Sequence, residues 1–443
     1  MKSVNLIARS CAALMLVTSF VGTVTLLSSQ DAFAQEKSAS ERKTKRTPAL
    51  RSKVYDQLAR AQSLADQDKT AEAITALDNV KRKSSSMNSY ELAMMHNFYG
   101  FIHYNAENYD KAISSFEEVV EQQPIPESFE KSTLYSLSQL HMMQGNFDKT
   151  IDFLERWESL HSGEVPAKNL VLKAQAMYQH KDYAAASSYI NQAVLQQENS
   201  EQGFKVEESW YVLQRAVYYE LKQPEKVTEV LVKLVKQFNK PEYWVQLGGM
   251  YGELALEQEQ LAVLESAYQQ GFITKGTDLF SLAQLYYYHQ VPFKAAQVMQ
   301  AAIDKGVLPS NLTNLTFLSQ SWSAAKENEK ALPVMMAAAQ LSENGELDAQ
   351  LGQVYLNMEN FDKAIEASQR ALVKGKLRNE GTTYLVLGMA HFNKGQFAES
   401  LNNLAKAEQY NTSKLVAKQW AKYVSGEKNN QERLRNELSS MGS

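Results

Sequence analysis

The sequence predicts an all-α chain: a right-handed α-solenoid of about ten helix-turn-helix repeats, closed by a C-terminal capping helix. Three observations carry this. Only 19 Gly and 9 Pro occur in 443 residues, about 4% and 2% where globular chains average roughly 7% and 5%, so long stretches run without a breaker. A turn-like frame recurs, as Asn108-Tyr109-Asp110-Lys111-Ala112-Ile113, Asn146-Phe147-Asp148-Lys149-Thr150-Ile151 and Asn360-Phe361-Asp362-Lys363-Ala364-Ile365. A small residue stands twelve positions before the Ala or Thr of each frame, and the same slot returns at Ala61, Gly100, Ser138, Ala174, Gly248, Ala283, Ser319, Gly352 and Gly388. With Arg215 in the same slot there are ten, separated by 33 to 41 residues, a period that means stacked helical units.

Residues 1–34 read as a signal peptide. Lys2 and Arg9 form the positive end, Cys11 to Leu27 an apolar stretch, and Ala32-Phe33-Ala34 the small-x-small site, so cleavage is expected after Ala34 and the chain is expected in the periplasm. Cys11 is the one cysteine and leaves with that segment, which removes disulfides and thiolate chemistry from consideration. Residues 35–53 carry Lys37, Arg42, Lys43, Lys45, Arg46, Arg51 and Lys53 against Glu36 and Glu41 without apolar periodicity. They read as a disordered basic leader, either a solvated linker that keeps the fold clear of the membrane or a tether that makes a peripheral contact with anionic lipid headgroups or with an acidic partner.

Residues 54–412 are the repeats. A small residue in the slot lets the first helix of a repeat (helix A) approach the second (helix B), and larger side chains fill the layers between. Pro224 and Pro292 fall at the start of helix B, where a missing N–H costs nothing; Pro124, Pro126, Pro241 and Pro309 fall at repeat ends. Pro333 lies inside a predicted helix B, which therefore starts late or is kinked. Arg215, Val227 and Gln260 depart from the small-residue pattern in the fifth and sixth repeats. Residues 413–443 form a capping helix and polar tail, with Leu415, Val416, Trp420, Tyr423 and Val424 toward the last repeat and Lys414, Lys418 and Lys422 toward water.

Trp244-x-x-Leu247-Gly248-x-x-Tyr251, followed by Leu264 and Ala267, resembles the tetratricopeptide repeat. Leu351-Gly352-x-x-Tyr355 with Ala364 and Ala371, and Tyr99-Gly100-x-x-His103 with Ala112, Phe116 and Pro124, are further copies. The resemblance implies a concave groove lined by helix A at the second, fifth, ninth, twelfth and thirteenth positions. The candidate groove residues are Gln62, Gln139, Gln175, Gln284, Gln320 and Gln353 at the ninth position, Tyr104, Tyr178, Tyr219, Tyr287 and Phe392 at the twelfth, and Asn97. Such a lining suits an extended protein segment, with amides pairing to its backbone and tyrosines covering its side chains; Gln is also simply a good former of exposed helix.

No phosphate-cradling loop, metalloprotease helix or nucleophile elbow occurs, so no enzyme, metal site or cofactor is expected. His103, His141 and His391 occupy a slot that Tyr fills elsewhere and read as packing residues whose ring nitrogens find local partners. With 46 Lys plus Arg against 50 Asp plus Glu, nothing in the balance favours nucleic acid, and a mean hydropathy of -0.41 excludes a polytopic membrane protein. As a whole the chain is similar to periplasmic tetratricopeptide proteins that accompany TonB-type systems, which implies TonB, ExbB and ExbD type partners in energised outer-membrane uptake. The alternatives are a scaffold for pilus, outer-membrane or cell-wall assembly, and the regulatory arm of a glycosyl-transferring enzyme. Solenoids also self-associate through terminal layers, so a homodimer stays open.

Overall fold

The computed structural model describes residues 48–200 and 205–441. The expected signal peptide, and the leader as far as residue 47, lie outside the described residues. Among the described residues the regular structure is 21 α-helices and one short 3-10 turn, with no strand.

The chain divides into two compact units, one ending at Phe238 and the other beginning at Asn239. In the first, helices pair as α1 (Ser52–Ala65) with α2 (Thr70–Lys81), α3 (Ser89–Asn105) with α4 (Tyr109–Glu121), α5 (Glu127–Gln144) with α6 (Phe147–Leu160), α7 (Ala167–Gln179) with α8 (Tyr183–Glu198), and α9 (Glu208–Glu220) with α10 (Pro224–Phe238). In the second they pair as α11 (Pro241–Glu253) with α12 (Glu257–Gln269), α13 (Gly276–Tyr288) with α14 (Pro292–Asp304), α15 (Leu312–Ala324) with α16 (Asn328–Leu341), α17 (Glu346–Asn357) with α18 (Phe361–Lys374), and α19 (Glu380–Asn393) with α20 (Phe397–Ala407), followed by α21 (Lys414–Met441). Within each unit, helix B of one repeat packs on helix A of the next. Each unit is therefore an α-solenoid of five helical hairpins.

The small slot behaves as its chemistry requires. Ala61, Ser138, Ala174, Ala283 and Ser319 are fully enclosed, and the buried hydroxyls of Ser138 and Ser319 donate to the carbonyls of Tyr135 (2.7 Å) and Thr316 (2.9 Å). At Gly100 an added Cβ would stand 2.5 Å from the Phe116 ring, and at Gly248 2.5 Å from Leu264. Glycine is needed there because helix B brings a bulky side chain up to the backbone of helix A.

The register is fixed by a device the small-residue pattern does not contain. Seven residues after every slot stands one left-handed residue: Asp68, Glu107, Gly145, Lys181, Lys222, Ala255, Gln290, Lys326, Glu359 and Gly395, with φ between 55° and 77°. The next residue donates its N–H to the carbonyl five positions back, at 2.8–3.0 Å in all ten hairpins. This is the Schellman closure, which satisfies the orphan carbonyls at the end of helix A and starts helix B one residue later. Arg215 precedes Lys222 by the same seven residues, so the fifth repeat keeps the common register. Val227 is buried there, and Gln260 in the sixth repeat lies against Gly252, which leaves its amide room.

Pro224 and Pro292 open α10 and α14 as expected, and Pro241 opens α11. Helix α16 begins at Asn328, directly after the turn, so the late-start explanation for Pro333 does not hold. The proline sits within the helix on its exposed side.

Two boundaries differ from the sequence reading. Arg51, assigned to the leader, is bound: its guanidinium donates to both carboxylate oxygens of Glu91 at 2.6 Å and to the Ser86 carbonyl at 2.7 Å. Glu91 has no exposed surface and also closes a capping box with Asn88 at the start of α3. In the capping helix, Ser413, Ala417 and Val424 are buried, whereas Leu415 is 70% exposed and Val416 and Tyr423 are also open. The i, i+4, i+7, i+11 stripe that meets α19 and α20 runs through Ser413, Ala417, Trp420 and Val424, and Leu415 and Val416 fall outside it.

Candidate partner-binding wall

The A helices of a unit form its helix A wall, the set of helices that carries the predicted positions. Consecutive A helices touch one another directly, α1 with α3, α7 with α9 and α17 with α19. The predicted positions lie along this wall, though with unequal access. Tyr219 (67%) and Tyr287 (38%) are exposed, as are Gln284 and Gln320. Gln62, Asn97, Tyr104, Gln139, Gln175, Tyr178, Gln353 and Phe392 are half-buried.

Several of these side chains already have local partners. Gln62 donates to Asp66 at 2.7 Å and Gln353 to Asn357 at 3.0 Å, each one turn further along its helix. Tyr104 packs edge-on to Tyr109 (ring centroids 5.7 Å apart), and Tyr178 lies tilted against Tyr183 (5.4 Å). Burial first, and the neighbouring tyrosines among the lesser causes, push both phenols above their ordinary range, so they act as neutral hydrogen-bonding groups. Phe392 is held by the capping helix, with Trp420 and Tyr423 edge-on at 5.9 and 5.3 Å.

The structure brings together one group most clearly. Phe317 of α15 touches Phe280 (5.3 Å) and Tyr287 (5.6 Å) of α13, which joins the seventh and eighth repeats into one aromatic surface in which Tyr287 is exposed and the two phenylalanines are half-buried against the core. Gln284 and Gln320 on the same two helices are exposed, as is Tyr288 at 65%, whose ring meets that of His289. Tyr288, Phe280 and Phe317 were not among the predicted residues, nor were Phe101 and Met143, which are exposed in the first unit. The signal was present: Phe280 is at the fifth position, Phe101 at the ninth, Met143 and Tyr288 at the thirteenth.

The histidines follow the packing expectation only in part. His141 is buried flat on Phe153 (5.3 Å, 9°), with Asn146 3.4 Å from Nδ1 and Glu117 3.5 Å from Nε2. The His391 Nδ1 meets Gln396 at 2.7 Å. The His103 Nδ1, buried beside Tyr99, has no hydrogen-bond partner among the described residues. Burial holds the imidazoles of His103 and His141 below their ordinary range. Among the described residues no group of three His, Cys, Asp or Glu side chains is placed to hold a metal ion, and no helix is long and apolar enough to cross a membrane.

With ten hairpins in one register, the comparison with known families bears on two stretches. Residues 58–125 and 350–413 match the tetratricopeptide repeat model. Those two segments are similar to tetratricopeptide repeats. They coincide with the first two and last two hairpins, where Gly100, Gly352 and Gly388 fill the small slot, and the matched family is a repeat module, not a catalytic domain. No curated protein matches the chain. Among solved structures the chain is similar to YrrB, described as a TPR protein with an unusual peptide-binding site (16% identity, 44% of this chain and 99% of that one, TM-score 0.35). It is also similar to the TPR2AB domain of yeast Sti1 in a pHSP90 complex (15% identity, 60% and 98%, TM-score 0.35). A third is a tetratricopeptide repeat protein from Parabacteroides merdae (12% identity, 58% and 98%, TM-score 0.29).

Proposed function

We propose that this protein is a non-catalytic scaffold, exported to the periplasm, that holds an extended segment of a partner envelope protein along its helix A wall. The observation that carries this reading is the aromatic surface of Phe280, Phe317 and Tyr287 with the exposed amides of Gln284 and Gln320 on the same two helices. Rigid tyrosines bury large area at low entropic cost, and primary amides donate to and accept from a peptide backbone. The signal-peptide pattern of residues 1–34 supports export, and the whole-chain resemblance supports a role beside a TonB-type energised uptake complex with TonB, ExbB or ExbD type partners.

Whole-cell photocrosslinking tests it. A photoreactive residue at Tyr178 or Tyr287 captures one envelope protein, and the same residue at Val373, 88% exposed on helix B, captures little. Efficient capture from Val373 with none from the two tyrosines refutes the reading.

A further inference from the structure

The A helices of the second unit contain no lysine or arginine. Helices α11, α13, α15, α17 and α19 carry six carboxylates, Glu242, Glu253, Asp278, Glu346, Asp348 and Glu380, and no fixed cation. The A helices of the first unit carry six cations, Lys53, Arg60, Lys131, Lys168, Lys173 and Arg215, against six carboxylates. Segregation by unit is thus a property of the wall and not of the overall composition.

Part of that negative charge is already committed. Asp348 is buried beneath Arg370 (3.0 Å) and Lys374 (2.8 Å) of α18, and Glu346 accepts the backbone N–H of Arg378. Glu242 and Glu253 are exposed and have no ion-pair partner among the described residues. Glu253 occupies the thirteenth position of its repeat and Tyr288 the same position of the next, so an open carboxylate and an open phenol stand at equal height on successive A helices.

We infer that the second unit's wall takes an extended protein segment in which a lysine or arginine recurs about every third residue among apolar side chains. An uncompensated carboxylate attracts a cation, and the face of a tyrosine ring accepts one through its quadrupole. The Phe280, Phe317 and Tyr287 surface covers the apolar side chains between the cations. Packed helices stand about 10 Å apart, close to one three-residue turn of an extended polyproline II segment, which returns every third side chain to the same face, so one basic residue per repeat meets the wall in register. This inference rests on the scaffold reading and adds the chemistry of the occupant.

The test is fluorescence anisotropy on the full chain with three labelled peptides of about 15 residues, enough to span about 50 Å when extended. They are identical except that every third residue is Lys, Gln or Glu. The Lys peptide binds at least about tenfold tighter than the Glu peptide at low salt, and the gap narrows severalfold once the Debye length falls to about 5 Å. Glu253→Lys and Tyr288→Ala, both on exposed side chains, each weaken the Lys peptide at least about threefold with unchanged circular dichroism, and Glu253→Lys improves the Glu peptide. Binding of the Gln or Glu peptide as tight as the Lys peptide overturns this inference and leaves the scaffold reading standing. Lys-peptide binding untouched by both substitutions also overturns it, by placing the site elsewhere. Failure of all three peptides to bind also overturns this inference, while the scaffold reading stands or falls separately on the crosslinking from Tyr178 and Tyr287.

Discussion

Two neighbouring glycines of α11 should respond in opposite senses to the same substitution. Gly248 and Gly249 both lie in the interior of the helix, so each loses about 1 kcal/mol of helix propensity relative to alanine. An added Cβ at Gly249 meets nothing within 4 Å, and Gly249→Ala stabilises by about 1 kcal/mol. At Gly248 the Cβ would stand 2.5 Å from the Leu264 Cδ2 and 2.6 Å from its Cγ. The Cγ atom cannot swing clear by a rotation about the outer bond, so helix B must move, at about 1–3 kcal/mol. Subtracting the propensity gain leaves Gly248→Ala neutral to about 2 kcal/mol destabilising, and the two variants differ by about 1–3 kcal/mol. Urea unfolding followed by circular dichroism, with hydrogen exchange of the α11 amides, measures this. A double-mutant cycle isolates the contact: with Leu264→Ala in place, Gly248→Ala becomes stabilising, and the coupling equals the overpacking cost. Equal shifts for the two glycines, with no coupling to Leu264, would refute the argument that close approach fills the slot with small residues.

Other outcomes follow from single side chains. His96, His103 and His141 have folded values lowered chiefly by burial, so the unfolded chain binds protons first, near its value of about 6.5. Stability is full above that pH and falls as pH drops through the depressed folded values. Urea midpoints measured from about pH 7.5 down to 5 fall accordingly, and His141→Phe, which keeps the ring on Phe153, removes part of the slope. A slope identical to that of the parent chain counts against the buried neutral imidazole. Glu91, held below the carboxylate range first by its hydrogen bond to Arg51, adds a separate loss only in stronger acid. Pro333→Ala restores a backbone donor within α16 at an exposed position and raises stability by about 2 kcal/mol, the helix penalty of about 3 less the unfolded-chain entropy it returns; an unchanged or lower urea midpoint would show that the helix needs its proline.

The repeat number was legible because the small slot is imposed from both sides: nine of the ten hairpins keep a small residue where helix A meets helix B, and Arg215 in the fifth is the exception. The left-handed residue seven positions later was not legible. Asp68, Glu107, Lys181, Lys222, Ala255, Gln290, Lys326 and Glu359 adopt it without being glycine, since the Schellman hydrogen bonds offset a modest steric cost that most residues can meet. The aromatic surface was half legible for a related reason. Periodicity put Tyr287 and Gln284 on the wall, but Phe317 joins them only because α13 and α15 approach closely enough for their rings to meet.

By itself the sequence determined the helical class, the period and the ten slots, since each follows from local backbone preference and from volume at a close contact. Only the tertiary structure decided which wall residues stay open, that Arg51 anchors on Glu91, and that the cap meets the last repeat through Ala417 and Val424 and not Leu415. Those outcomes depend on distances between residues far apart in the chain, and a one-dimensional pattern does not specify how closely two helices will approach.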